Sequence, residues 1–198
     1  MKAKDYRNEA KQKISDKWNY LALINFVESL ILGAASFVVV GDLIVGGAIT
    51  LGFAGISLAV VRHKEFSITN LFDGFNNFLS SLILFIINAV LIFLWSLLLI
   101  VPGIIKSYSY SMSFYILHDN PNMDPNDARK LSTQLMNGHK WELFCLHFSF
   151  IGWYLLSIIT FGILSFWVIP YVRIAEAEFY ERLKNENLVE YTTKIAEE

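Results

Sequence analysis

The chain has a single cysteine, Cys145, in 198 residues. It can form no internal disulfide, and zinc sites that need several thiolates are excluded. The four histidines (His63, His118, His139 and His147) lack metal-ligand spacing. No HExxH, CxxC or GxSxG pattern occurs, and no glycine-rich phosphate loop. Cys145 has no activating neighbour in sequence and reads as a packing residue. No metal, no cofactor and no soluble-type catalytic mechanism is therefore expected. Charge is also scarce. Asp, Glu, Lys and Arg make up 17% of the chain, against about 25% in a soluble domain. The net charge of −2 gives a nucleic-acid partner no bulk electrostatic support.

What fills the chain instead is apolar. Hydrophobic residues are 55%, and the mean hydropathy is +0.45. The organising stretch is 78–117, between Asn77 and His118, where Lys106 is the one cation and no acid occurs. Forty such residues are roughly twice the ~20 that cross a bilayer as a helix. Pro102-Gly103 near the midpoint predicts a stop and a tight reversal there.

The same plan recurs on either side. Residues 1–17 are polar, with Ala3, Tyr6, Ala10, Ile14 and Trp18 in one narrow helical stripe. This predicts a helix lying on an anionic leaflet, or a solvated basic leader that sets topology. Residues 18–40 are too long and apolar for a signal-peptide core and predict an uncleaved first span. Gly41-Asp42 predicts a turn. Residues 43–61 predict a second span, with Ala48, Gly52, Gly55 and Ala59 on one face that suits close helix packing. Ile68, Leu71, Phe72, Phe75 and Phe78 predict a second short amphipathic segment. Residues 78–100 and 104–117 are the third and fourth spans. Asp124-Pro125 reads as an N-cap followed by proline at the first helical position. Ala128, Leu131 and Leu135 give that helix a stripe, and Gly138 ends it. Residues 141–160 and 163–179 are the fifth and sixth spans, the last bent or interrupted at Pro170. The tail at 181–198 is charged and expected to be exposed.

The fold class expected is thus an all-α integral membrane protein. It has six spans in three hairpins, within residues 18–180, and amphipathic helices on the cytoplasmic face. Fifteen of the 16 Lys and Arg residues fall on one side of this plan, leaving Lys106 near the other. The positive-inside rule puts both termini in the cytoplasm.

Polar residues inside the spans are the candidate sites. Glu28 lies about 16 Å into its span at ~1.5 Å per residue, and Arg173 a similar depth beyond Gly162. A charge there costs several kcal/mol unless paired or hydrated. The two are expected to pair, with Asn25 or Asn88 nearby, either as a polar site on a substrate or proton path or as a structural ion pair. Lys106 near the outer interface could hold a lipid phosphate or another anion, or simply snorkel.

The segment order resembles the bacterial membrane proteins catalogued as domain of unknown function 975. The stretches that carry it are Leu71-Phe72-Asp73-Gly74-Phe75, the run from Trp95 through Pro102-Gly103 to Lys106, and Tyr108-Ser109-Tyr110-Ser111-Met112. They continue with Leu135-Met136-Asn137-Gly138-His139-Lys140-Trp141, Phe150-Ile151-Gly152-Trp153 and Trp167-Val168-Ile169-Pro170-Tyr171. The resemblance implies a multi-pass bacterial membrane protein of unassigned activity and carries no catalytic residues onto these positions. The chain is also loosely similar to the membrane portion of some glycerophosphodiester phosphodiesterases. Their soluble catalytic domain has no counterpart in these residues, so that activity is not transferred. The function expected is a non-enzymatic interaction or accessory protein of the bacterial envelope, in the lipid bilayer, with a membrane-protein partner docking on 119–140 or with further copies of itself. The alternative is a carrier for a lipid or small anionic solute that would use Glu28, Asn88, Lys106 and Arg173 as its polar path.

Overall fold

Runs of Leu, Ile, Phe and Ala without interior proline favour helix throughout, and the computed structural model is helical with no strand among the described residues. It describes the backbone of residues 3–35 and 41–197 and the side chains of 3–33 and 45–186. The end of the first expected span, at 36–40, lies outside the described residues. The helices are α1 (Ala3–Ile14), α2 (Trp18–Ala35), α3 (Gly41–Val61), α4 (Phe78–Leu98) and α5 (Ile100–Tyr110). They are followed by α6 (Ser113–Asp119), α7 (Pro125–Leu135), α8 (Lys140–Phe148), α9 (Ile151–Ile159) and α10 (Ser165–Glu197). A 3-10 segment, Ile68–Asn77, runs into α4. Helices α3 and α10 form the centre, and most other elements pack on one or both.

Two stretches, 68–98 and 140–159, are long and apolar enough to cross a membrane. Only 17% and 22% of their most apolar windows are buried, which is unlike the core helix of a soluble protein.

The α1 stripe has a different role from either expectation. Tyr6, Ala10 and Ile14 are buried, in a helix packed on α10 and α8. The Tyr6 ring meets Phe179 edge to face at 5.3 Å. The stripe therefore faces protein rather than lipid or water.

The 3-10 segment explains itself by its repeat. With three residues per turn, side chains three apart align in rows. Leu71 and Gly74 share the buried row, facing α3. Phe72, Phe75 and Phe78 stack in an outer row with centroids 6.3 and 6.1 Å apart. Asn70 and Asp73 lie on the third, joined by a 2.7 Å hydrogen bond. The small face of α3 receives the buried row. A Cβ on Gly52 would collide with the Leu71 carbonyl, and one on Gly74 with the Ala48 carbonyl.

The hairpin of 78–117 is present, but its reversal is not at Pro102-Gly103. The extended residue is Leu99, with φ −161° and ψ 144°. Pro102 then falls in the first turn of α5, where its missing N–H has no intrahelical partner to lose. The arm expected at 104–117 is broken between α5 and α6. Ser132 of α7 bridges the break, accepting from the Met112 N–H (3.2 Å) and donating to the Ser109 carbonyl (2.8 Å). Helix α7 begins as expected, with Asp124 accepting from the Asn126 N–H at 2.8 Å and Pro125 at its start. Its buried face holds Ala128 and Ser132, while Leu131 is exposed. The fifth span divides at Ser149-Phe150 into α8 and α9. Arg7 donates to the Ser149 carbonyl at that division (2.8 Å). Helix α10 runs through Pro170 without interruption. It also continues into the segment expected as an exposed tail, where Leu183 is buried.

Gly52→Val is expected to destabilise the fold by about 1–3 kcal/mol or more, because the added side chain meets backbone that cannot give way. Gly152→Ala, whose Cβ would meet nothing within 4 Å, is expected to be neutral. Thermal unfolding in detergent followed by tryptophan fluorescence compares the two.

Candidate functional site

Glu28 of α2 and Arg173 of α10 meet inside the helical bundle. Arg173 Nη1 lies 2.7 and 2.9 Å from the two Glu28 carboxylate oxygens. Glu28 is 3% exposed, so its charge depends on that partner. The guanidinium carbon lies 4.2 Å from the centroid of the Phe53 ring on α3, a cation–π contact that adds to its positioning. Asn25 lies one turn earlier on α2, also buried, and its Nδ2 has no hydrogen-bond partner among the described residues.

The other expected residues are elsewhere. Asn88 Nδ2 donates to Ser113 Oγ at 2.9 Å, tying α4 to α6. Lys106 Nζ lies 4.9 Å from the centroid of the Trp95 ring across the α4–α5 hairpin. Glu28 and Arg173 come together, whereas Asn88 and Lys106 occupy separate places. The four do not line one cavity.

A second polar group, missed in the sequence reading, adjoins the first. Glu176 stands one turn beyond Arg173 on α10. Its Oε1 is 2.6 Å from His147 Nε2 on α8. His147 Nδ1 is 3.2 Å from the Tyr108 hydroxyl on α5. The Tyr115 hydroxyl of α6 lies 3.4 Å from Glu176 Oε2 and 3.2 Å from the Arg173 carbonyl. A cavity of about 110 Å³ opens between these groups, lined by Thr50, Phe53, Ser111, Tyr115, Arg173 and Glu176. The available signal was the spacing Arg173-x-x-Glu176 inside an apolar run, which puts both charges on one helix face. The histidines were weighed only as metal ligands, and that test passes over a histidine paired with one carboxylate.

At the end of the bundle where α1 and the last turns of α10 meet, the charges are dense. Arg62 forms a two-pronged contact with Asp119, at 2.8 and 2.7 Å, and donates to Glu181 at 2.6 Å. Lys184 reaches Asp119 at 2.6 Å. Glu142 accepts from Arg182 at 2.6 Å and from the Tyr6 hydroxyl at 3.0 Å, and Lys13 pairs with Glu178. A cleft of about 690 Å³ lies over this layer, with Tyr6, Glu9, Lys13, Arg62, Glu178 and Glu181 in its walls. Burial alone would push the Asp119 carboxyl up. The approach of His118, the hydrogen bonds from Arg62 and Lys184, and the Arg62 charge outweigh that and hold it well below the usual carboxylate range.

Residues 97–187 match the family described as "Protein of unknown function (DUF975)". The matched stretch runs from the end of α4 into α10 and includes Arg173, Glu176 and His147 but not Glu28. No curated protein and no solved structure matches the chain.

Removing one partner of the buried pair, as in Glu28→Ala, is expected to cost about 3–5 kcal/mol, while replacing both residues by Met recovers most of that loss. Unfolding of the two variants by denaturing detergent makes the comparison. For Asp119 the native value is depressed. Its stabilisation is therefore complete above the unfolded value of about 3.9 and is lost progressively as pH falls below it. The wild-type unfolding midpoint should hold down to about pH 4 and drop between about pH 4 and pH 2, and Asp119→Asn should start lower and stay flatter over the same range.

Proposed function

We propose that the chain is a multi-pass membrane protein of the bacterial cytoplasmic membrane. It has six spans in three hairpins, with both termini on the cytoplasmic side, and acts as a non-enzymatic interaction or accessory protein. The observation that carries this reading is inverted polarity. Leu97, Leu98, Ile100, Ile158, Ile159 and Phe161 are all exposed, while Asn25, Glu28, Asn88 and Glu178 are buried. Water does not support a continuous exposed apolar surface on this scale, whereas lipid does. The charge asymmetry supports the orientation, since 14 of 16 Lys and Arg residues fall on one side of the plan, with Arg173 inside its span and Lys106 near the other side.

The two ends differ, and that favours interaction over chemistry. Among the described residues, one end carries short reversals at Leu99 and at Phe161-Gly162, and Phe161 and Gly162 have positive φ. The other end carries α1, the 3-10 segment, α7 and the charged cleft, all folded against the bundle. A partner in the same membrane can dock on the loop and helix of 119–140 without reaching into the bundle.

With Cys145→Ser as background, single cysteines replacing Phe161 and Asn122 test the topology. A membrane-impermeant thiol reagent should label the first from outside intact cells and the second only after permeabilisation. Labelling of both from one side sinks the topology. Native mass spectrometry of gently extracted protein tests the role. A stoichiometric protein partner that is lost when 119–140 is scrambled supports an accessory subunit. A lone chain retaining one defined lipid overturns it in favour of a carrier.

A further inference from the structure

We propose that Tyr108, His147 and Glu176 form a proton-binding relay within the helical bundle, running from the α5–α8 surface to the cavity beside Arg173. The inference rests on the reading of α8 and α10 as membrane-embedded, and goes beyond it in assigning the ligand.

The first argument is charge balance. Glu28 and Arg173 cancel each other across contacts of 2.7 and 2.9 Å. Among the described residues, Glu176 on the next turn of α10 forms no ion pair with arginine or lysine, and Arg173, which lines the same cavity, is engaged by Glu28. The contacts it makes are with His147 at 2.6 Å and Tyr115 at 3.4 Å. With a neutral imidazole the four-residue group carries one net negative charge. Binding one proton brings it to zero. Net charge is what an apolar surround disfavours, and one proton, no more, removes it here.

The second argument is hydrogen-bond direction. In the neutral ring, Nε2–H donates to Glu176 Oε1, and Nδ1 can only accept, from the Tyr108 hydroxyl. After protonation both ring nitrogens donate, so Nδ1–H points at the Tyr108 oxygen, which must turn its own proton outward. Tyr108 thus passes its hydroxyl proton to Nδ1 as it accepts another on its outer side. One proton enters, Tyr108 ends with the same number as before, and the ring holds the extra one against Glu176. Tyr108 is partly exposed beside Phe144, whose ring is 6.1 Å away edge to face. That is the entry side. At the other end, Glu176 and Tyr115 face the cavity of about 110 Å³, room for a few water molecules at about 30 Å³ each.

The remaining titratable groups around the site are accounted for. Arg173 and Glu28 face it from α10 and α2, and Tyr115 from α6. Tyr154 of α9 is close enough to feel Glu176, Tyr108 and Arg173. On α8 itself, Glu142 is occupied by Arg182 and Tyr6. None of these supplies a second positive charge to Glu176.

The test uses histidine-labelled full-length protein in lipid nanodiscs, with imidazole ¹⁵N shifts followed from about pH 4 to pH 10. His147→Gln assigns the ring. The wild type should show one His147 titration, and Glu176→Gln should move its midpoint at least one pH unit lower, a tenfold weaker hold on the proton. A His147 signal that never titrates, or that titrates alike in both proteins, overturns the proposal. Tyr108→Phe keeps the ring and the packing, and so decides the matter if Glu176→Gln does not fold. It should move the neutral-form Nδ1 shift and leave the titration in place, and an unmoved Nδ1 shift overturns the relay. Quenching of tryptophan by brominated lipid in the same nanodiscs reports insertion. Loss of insertion in the wild type counts against the membrane reading, not against the relay.

Discussion

A charge within an apolar bundle must be met by an opposite charge on a neighbouring helix, because several kcal/mol of desolvation stand against it. Helix α10 is built around that constraint. Along its inner length Arg173 meets Glu28 of α2 and Glu178 meets Lys13 of α1, while Glu176 between them is held by a hydrogen bond to His147 of α8. Farther on, Glu181 meets Arg62 after α3, Arg182 meets Glu142 of α8, and Lys184 meets Asp119 of α6. Together these contacts reach α1, α2, α6, α8 and the residue that follows α3. A slip of α10 by one residue would rotate all of them by about 100°. Ion pairs of this kind contribute little net stability compared with apolar packing. What they provide is register, in a helix whose apolar residues are spread around its whole circumference and specify no single face.

The same constraint governs the backbone. In hydrocarbon an interrupted helix leaves carbonyls and amides that no water can satisfy. The interruptions here are therefore patched by side chains from elsewhere. Arg7 takes the Ser149 carbonyl where α8 gives way to α9, and Ser132 spans the gap between α5 and α6. This gives α1 and α7 a structural role that their polar composition hides. Both read as surface helices, yet both reach into the bundle to complete hydrogen bonds that the longer helices leave open.

These features explain which parts of the fold were legible in the sequence. Hydropathy located the apolar arms, and residue rise placed Glu28 and Arg173 at one level. The Asp124-Pro125 start and the Gly138 end of α7 follow from local capping, which needs no tertiary information. Pro102-Gly103 misled because a proline in the first turn of a helix resembles one that ends the helix before it, and the chain turns three residues earlier, at the extended Leu99. The stretch of α10 from Glu181 to Lys184 looked exposed because its charges have partners 40 to 119 positions away in sequence, with Glu142 meeting Arg182, Asp119 meeting Lys184 and Arg62 meeting Glu181. Glu176 and His147 were missed for the same reason. Only the fold brings α8 against α10.

The placement of both polar centres on α10 has a mechanical consequence. Arg173 and Glu176 face the inner cavity, and Glu178, Glu181 and Arg182 face the cleft. From Glu176 to Glu181 the helix rises about 7.5 Å, within a single continuous element. A displacement of α10 that follows a change of charge at Glu176 cannot be absorbed between the two, because no break, glycine or proline lies in that interval. It must be carried to the ion pairs with Lys13, Arg62 and Glu142, and those pairs form the walls and floor of the cleft. The inner cavity and the charged cleft are therefore joined by one unbroken stretch of α10.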